Sequence, residues 1–398
     1  MERIDQNGGQ GTATPHGGVR PQSADWNRKS RFGGLLAASL AGVSPLSVSA
    51  YDVTENLSLR GTVTGVLQHG TFSGTAIPDT GRGALVTDIG MNFRPTDRDA
   101  FESVVSLATG DALNTVSPYA AHPLYADDLE DNLEDVNGRG RDYLLTAWYK
   151  HTFALPRNAS LGITGGIIDA ADYVDENSLA NDEVSQFMND AFVNNTLLVP
   201  PAFDAGIAGE LEMGRWSLKG VWINGRNVDP DNGLDEDYDY FAGQLGWRTE
   251  SRWGEGNYRL LAQGTSDDFA DPTGAKTRGL FSVGLSADQQ LSAAVGVFAR
   301  LAWQDDDAAI DHDALYSGGV RVDGGLWGRV DDEVGLGYAH LDGGNGEIEK
   351  TDILEGYVKF QLTEYADLSL DVQYLDERTT GVNDPSGFVY GMRINGYF

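Results

Sequence analysis

Six basic residues, Arg248, Arg259, Arg300, Arg321, Lys359 and Arg393, fall one per segment along the second half of the sequence. Each occupies the same parity within a stretch where apolar and polar residues alternate, and Glu355 and Asp371 share that parity in two later stretches. Alternation puts residues i and i+2 on one face of a strand, so these charges converge on one side of a sheet. Placed at similar depth, the basic track would face Glu355 and Asp371. Opposed rows of this kind set up a transverse field, order water between them and favour polar solutes. Lys150 lies on the same face, as do Trp148, Phe298 and Tyr357, whose rings offer flat apolar surfaces. The alternative is that the charges solvate a wide polar surface and pair with one another.

Catalytic and metal chemistry are less well supported. The absence of cysteine excludes thiol catalysis, disulfides and Cys-based metal centres. His16 lies before the processing site inferred below, His69, His122 and His312 fall in connections, and His151 and His340 fall near strand ends, with no evident Ser/Asp partners. No enzyme is expected. The segment Asp229–Asp237 carries hard oxygen ligands at alternate positions, but its Gly comes early for an EF-hand and the closing Glu is missing. This segment and the runs Asp127–Glu134, Asp267–Asp271 and Asp305–Asp313 are expected to be solvated acidic loops, with weak calcium binding as the alternative. No cofactor is expected. With 60 Asp+Glu against 28 Lys+Arg and a formal charge of -32, the surface cannot neutralise phosphates, so nucleic acid is not an expected partner.

The elements that must position these residues are strands. From Tyr51 onward the apolar pattern has period two. The last segment sets Phe388, Tyr390, Met392, Ile394 and Phe398 against Val389, Arg393, Asn395 and Tyr397. Sixteen strands are predicted, at 56–68, 81–93, 100–109, 141–154, 159–168, 204–213, 215–225, 237–248, 256–265, 278–287, 292–304, 313–326, 331–340, 350–362, 366–376 and 386–398. Their connections alternate between short and long. Short links lie near 94–99, 156–158, 214, 251–255, 288–291, 327–330 and 363–365, and the longest links span 110–140 and 169–203. An even number of alternating strands, with short turns on one side and long loops on the other, describes an all-β transmembrane antiparallel barrel with periplasmic turns and extracellular loops. Outside the first 50 residues no apolar run approaches the roughly 18–20 residues a membrane helix needs.

The first 50 residues read as an address. Arg28, Lys29 and Arg31 precede an apolar run from Phe32 to Val43, and Val48-Ser-Ala50 closes the segment, as in a secretory signal peptide cut after Ala50. Residues 51–398 then form the barrel domain in the bacterial outer membrane. The terminal Phe398, on the apolar face of the last strand, resembles the signature by which the barrel-assembly machinery reads such proteins.

The ordered segments Tyr143–Phe153, Gly162–Asp169, Gln186–Asn195, Leu280–Leu291, Val297–Trp303, Gly328–Tyr338, Glu355–Leu362 and Leu368–Tyr374 together resemble the carbohydrate-selective porins of the OprB family. The resemblance implies a sixteen-stranded outer-membrane barrel that passes sugars by passive diffusion into the periplasm. Mono- or oligosaccharides are then the expected solutes, and outer-membrane lipid and lipopolysaccharide the expected surroundings. The chain looks short for the family and its loops are rich in Asp. A neutral sugar presents hydroxyls and patches of C–H, so a selective passage wants hydrogen-bonding charges and an aromatic or two. The expected pore-lining set is therefore Trp148, Lys150, Arg248, Arg259, Phe298, Arg300, Arg321, Glu355, Tyr357, Lys359, Asp371 and Arg393. Segment 169–203, with Phe187, Met188, Phe192, Leu197 and Leu198, is too apolar for a solvated loop and is expected to fold into the lumen, Gln186–Asn195 forming a short helix. A general or polysaccharide-export channel is the competing transport role, and an outer-membrane hydrolase the competing enzyme.

Overall fold

The computed structural model describes residues 51–124, 133, 136–197, 201–229, 234–381 and 383–398, the side chains of 227–229 and 234–236 excepted. The predicted signal segment, nearly all of Asp127–Glu134 and the centre of Asp229–Asp237 lie outside these residues. Sixteen strands close a barrel. They are β1 Leu57–Ser73, β2 Thr80–Thr96, β3 Asp99–Thr109, β4 Leu144–Leu155, β5 Ala159–Ile168, β6 Asp204–Met213, β7 Trp216–Asp229 and β8 Leu234–Ser251. The second half comprises β9 Gly254–Thr265, β10 Phe281–Ser292, β11 Val295–Gln304, β12 His312–Asp323, β13 Glu333–Gly343, β14 Ile348–Thr363, β15 Ala366–Thr379 and β16 Ser386–Tyr397.

Every strand is antiparallel to its chain neighbours, and β16 returns to β1 with Tyr397 opposite Thr62 and Ser386 opposite Ser73. Closure pairs the wall all the way round, the condition for crossing hydrocarbon with strands. The short strand Tyr51–Thr54 pairs with the start of β1. The last residue completes the seam. Gly61 N–H donates to the Phe398 carbonyl at 2.7 Å, and Phe398 N–H returns a bond to the Gly61 carbonyl at 3.0 Å. A Cβ at residue 61 would sit 2.0 Å from the Phe398 ring, so the glycine makes room for it.

The alternation has the barrel's sense rather than a sandwich's. On β16, Phe388, Tyr390, Met392 and Ile394 are exposed on the outer face, whereas Val389, Arg393 and Asn395 are buried inside. Exposed apolar side chains are stable there because the solvent is lipid. Near the short turns Trp216, Trp247 and Tyr258 stack across β7, β8 and β9 as part of an interfacial aromatic row.

Two predicted turns sit elsewhere. Residues 288–291 continue β10, and the reversal comes at 293–294. Asp288 looked like a turn residue, but it points into the lumen and accepts from Arg259 at 2.7 Å and Asn257 at 2.8 Å. Strand β12 stops at Asp323 instead of continuing to 326, because Gly324–Trp327 forms a 3-10 turn.

The lumen is not empty. Parts of the two longest connections, 110–143 and 169–203, turn inward and supply Leu113, Tyr119, Phe187 and Phe192 to a buried cluster with Phe298, Leu315 and Tyr357 of the wall. The apolar core of this protein therefore lies between loop and barrel.

Candidate permeation pathway

The described part of the connection 169–203 is pinned at many points. It opens with a 3-10 turn, Ala170–Asp172, where Asp169 accepts from Ala171 N–H at 2.8 Å. Its helix is one turn, Asp190–Val193, capped by Asn189 accepting from Ala191 N–H at 3.0 Å. This is shorter than the predicted 186–195. Phe187 is central, with its ring 4.9 Å from Phe192, 5.0 Å from Tyr357 and 5.5 Å from Phe298. The wall is thinned to receive these rings. A Cβ at Gly337 would come within 2.8 Å of Phe192 and 3.0 Å of Phe187. Met188, Ala191 and Val193 are buried beside them. Of the apolar residues expected to drive this docking, Leu198 lies outside the described residues.

Charged groups finish the attachment. Arg300 on β11 donates to Asp175 at 3.0 Å, to the Phe192 carbonyl at 2.7 Å and to the Val193 carbonyl at 3.2 Å, and also reaches the Ala180 carbonyl. Arg393 on β16 donates to the carbonyls of Glu183 and Gln186, the latter at 2.9 Å. Its neighbour Asn395 donates to the Val184 carbonyl at 2.7 Å. Glu355 on β14 works in the opposite sense, accepting from Met188 N–H at 2.5 Å and Asn189 N–H at 3.1 Å. An irregular loop leaves backbone groups without partners, and a buried charge needs several, so each solves the other's problem. The second inward connection is held likewise. Gln68 and Gln373 both donate to the Pro123 carbonyl, at 2.9 and 2.7 Å, and Glu377 accepts from Ala120 N–H at 3.0 Å.

The predicted lining residues therefore divide. Arg300, Arg393, Glu355, Asp371, Phe298 and Tyr357 are each 4% exposed or less, beneath the loop rather than beside open water. Arg259 pairs with Asp288 at 2.7 Å, Arg321 with Asp323 at 3.3 Å and Glu333 at 3.6 Å, and Lys359 with Glu333 at 3.9 Å. Arg248 is exposed, and Trp148 and Lys150 are half-buried. The expected basic track facing Glu355 and Asp371 does not form. Both carboxylates stand on β14 and β15, on the same side of the barrel as Arg321 and Lys359, with Tyr357 directly opposite Asp371 in the ladder. Parity identifies the inner face, but not what covers it.

The inner face of β1 to β8 is different. Arg60 pairs with Glu102 at 2.8 Å, and Asn92 donates to the same carboxylate at 3.1 Å. Lys150 pairs with Glu210. Lys219 lies 3.7 Å from Glu210 and 2.5 Å from Glu176 of the inward loop. Trp148 stands opposite Glu102 in the ladder, and the exposed Asp172 of the loop is close enough to attract Arg60. Glu102, Glu176 and Glu210 are not among the predicted lining residues. Glu210 shares inner-face parity with Ala208 and stands opposite Lys219, which is the signal that could have found it.

Residues 130–398 match the family model of the carbohydrate-selective porin, OprB family. The chain is 30% identical over 272 residues to an uncharacterized protein of Aquifex aeolicus (strain VF5), covering 68% of this chain and 74% of that one. Among solved structures, the high-pH form of Pseudomonas putida OprB superposes with a TM-score of 0.68 at 14% identity, covering 86% of this chain and 94% of that one. Salmonella typhi OmpF, in its complex with daunomycin, superposes with a TM-score of 0.54 at 11% identity, covering 88% of this chain and all of the other. The structural likenesses speak for the barrel, and the family match carries the rest. The chain belongs to the OprB family of carbohydrate-selective porins, channels of the outer membrane.

Proposed function

We propose that neutral mono- and oligosaccharides diffuse passively into the periplasm along the inner face of β1 to β8, past the inward loop. The observation that carries this is the half-buried pair Lys150–Glu210 beside Trp148, backed by the buried pairs Arg60–Glu102 and Lys219–Glu176. Paired charges leave little net field to hold an ion, yet they keep donors and acceptors available for sugar hydroxyls. Trp148 supplies a ring for the C–H face of a sugar. Arg248 adds a further donor, and Arg259, Arg321 and Lys359 serve as paired groups of the lower wall. Contacts made and broken with water-like partners keep residence short, as passage requires. The pathway involves no catalytic step. Phe398 at the seam is read by the assembly machinery on the same proposal. Liposome swelling tests the pathway. Vesicles carrying the protein should swell faster in monosaccharides than protein-free vesicles, and Trp148→Ala with Lys150→Ala should alter the rate and its discrimination among sugars. Swelling equal to protein-free vesicles would overturn the proposal.

A further inference from the structure

The pairing of charges along the inner face stops at the periplasmic end of β7 and β8. There Arg248 N–H donates to the Arg215 carbonyl at 2.8 Å, one rung beyond the pair Trp216–Trp247. The tryptophans are exposed on the outer face, so the next rung turns inward. Both arginines line a small pocket with Lys219 and with Glu176 of the inward loop. Like charges on one rung repel. Among the described residues neither guanidinium forms an ion pair, although Arg60, Arg259, Arg300 and Arg321 of the same inner face all do. A chain with 60 Asp+Glu against 28 Lys+Arg has carboxylates enough to neutralise them. Two exposed arginines left side by side mark a place where the anion comes from outside the chain.

The pocket is shaped as well as charged. The next inner-face row above the two arginines is Ser217, Gly246 and Arg259, and the row above that begins with Lys219 and Gln244. Gly246 has no side chain to fill the space between the basic groups, and a Cβ there would lie 2.3 Å from Ser217 Oγ. The pocket has a volume of about 90 Å³, the room of about three waters. That admits one anionic group, while a sugar ring must remain in the open lumen.

The charges match a monoanion. Lys219 is held by Glu176, and Arg259 by Asp288. Arg215 and Arg248 then share the pocket with one further carboxylate, Glu212, and a single positive charge is left over. A carboxylate brings one negative charge, whereas a phosphate monoester brings about 1.5 to 2. Guanidinium forks take a carboxylate through two parallel hydrogen bonds. Ser217 and Asn257, which line the same pocket, offer partners to nearby hydroxyls.

We propose that this pocket binds the carboxylate of a sugar acid at the periplasmic mouth of the pore. Arg215 and Arg248 hold the carboxylate, and the ring stays in the lumen beside Ser217 and Asn257. A locally positive mouth raises the concentration of the anion there, and a neutral sugar passes the same point unheld. The site rests on the proposed pathway for how the solute arrives, and not for how it binds.

Saturation-transfer NMR on the folded protein in detergent, with glucuronate, glucose and glucose 6-phosphate at one ionic strength, tests the site. The wild type should bind glucuronate more tightly than either of the others. Arg215→Gln combined with Arg248→Gln should weaken glucuronate binding by about tenfold and erase its preference over glucose. Glu212→Gln should tighten glucuronate binding, a gain that a misfolded barrel cannot imitate. Equal binding of glucuronate and glucose by the wild type overturns the proposal, as does glucuronate binding that the arginine pair leaves unchanged. Tighter binding of glucose 6-phosphate than of glucuronate overturns it in favour of a phosphate site. Liposome swelling on the same preparation separates the two readings. Swelling in glucose without glucuronate binding overturns this site and leaves the pathway standing. Glucuronate binding without swelling supports the site and overturns the pathway.

Discussion

The two sides of the lumen use the same residue types for different ends. On β11 to β16, Arg300, Arg393 and Glu355 are buried and bonded chiefly to backbone carbonyls and N–H groups of an irregular loop. On β1 to β7, Arg60, Lys150 and Lys219 bond to the carboxylate side chains of Glu102, Glu210 and Glu176. An arginine bonded to carbonyls fixes the backbone, since its removal strands several buried acceptors together. The half-buried Lys150, bonded to one carboxylate, fixes little, because both groups can turn to water, whereas the buried Lys219 also ties Glu176 of the loop. One wall is thus chiefly a mounting for the loop, and the other, which holds the loop only through Lys219 and Gln244, is the surface proposed for solutes.

The difference sets an order of effects. Arg300→Leu should cost about 3–5 kcal/mol, the range for removing one partner of a buried ionic network. Thermal unfolding would show it, and single-channel current should become larger and noisier as the loop loosens. An unchanged current would erase the distinction between the walls. Phe187→Ala removes the centre of the aromatic cluster and should cost about 3 kcal/mol by the usual cavity penalty, again with a noisier current. Glu355→Gln keeps an acceptor but loses the charge, and should cost about 1–2 kcal/mol of unfolding free energy. The smallest stability effect belongs to the other wall. Lys150→Met should change stability by less than about 1 kcal/mol, yet shift the reversal potential under a salt gradient toward cations. A large loss of stability there would show that this pair also serves as a mounting.

The barrel was legible because lipid and lumen impose opposite demands on successive residues, so strand positions could be read from period two alone. The misplaced turn at 288–291 shows where that logic fails. Asp288 is polar because it meets Arg259 inside, and a polar inner-face residue near a strand end looks the same as a turn residue. The residue types of the site were legible too, since every predicted member but one is buried or half-buried on the inner face. Their roles were not. Arg248 and Arg300 share parity, charge and spacing, yet one is exposed and the other is 1% exposed. What separates them is the path of residues 169–197, whose contacts with Arg300 lie more than 100 positions away in the chain, as from Ala180 to Arg300. The aromatic content of that segment announced that it would be covered, but not by which strands.

The seam between β16 and β1 has a consequence for timing. The loop is bonded to Arg393 and Asn395, five and three residues from the end of the chain. Its seat is completed only by the strand that Phe398 terminates and that closes against Gly61. Contacts so distant in sequence carry a high loop-closure cost. A barrel halted before its final strand joins the first would therefore be unsealed along its side and would hold its inward loop by Arg300 and Glu355 without Arg393 and Asn395.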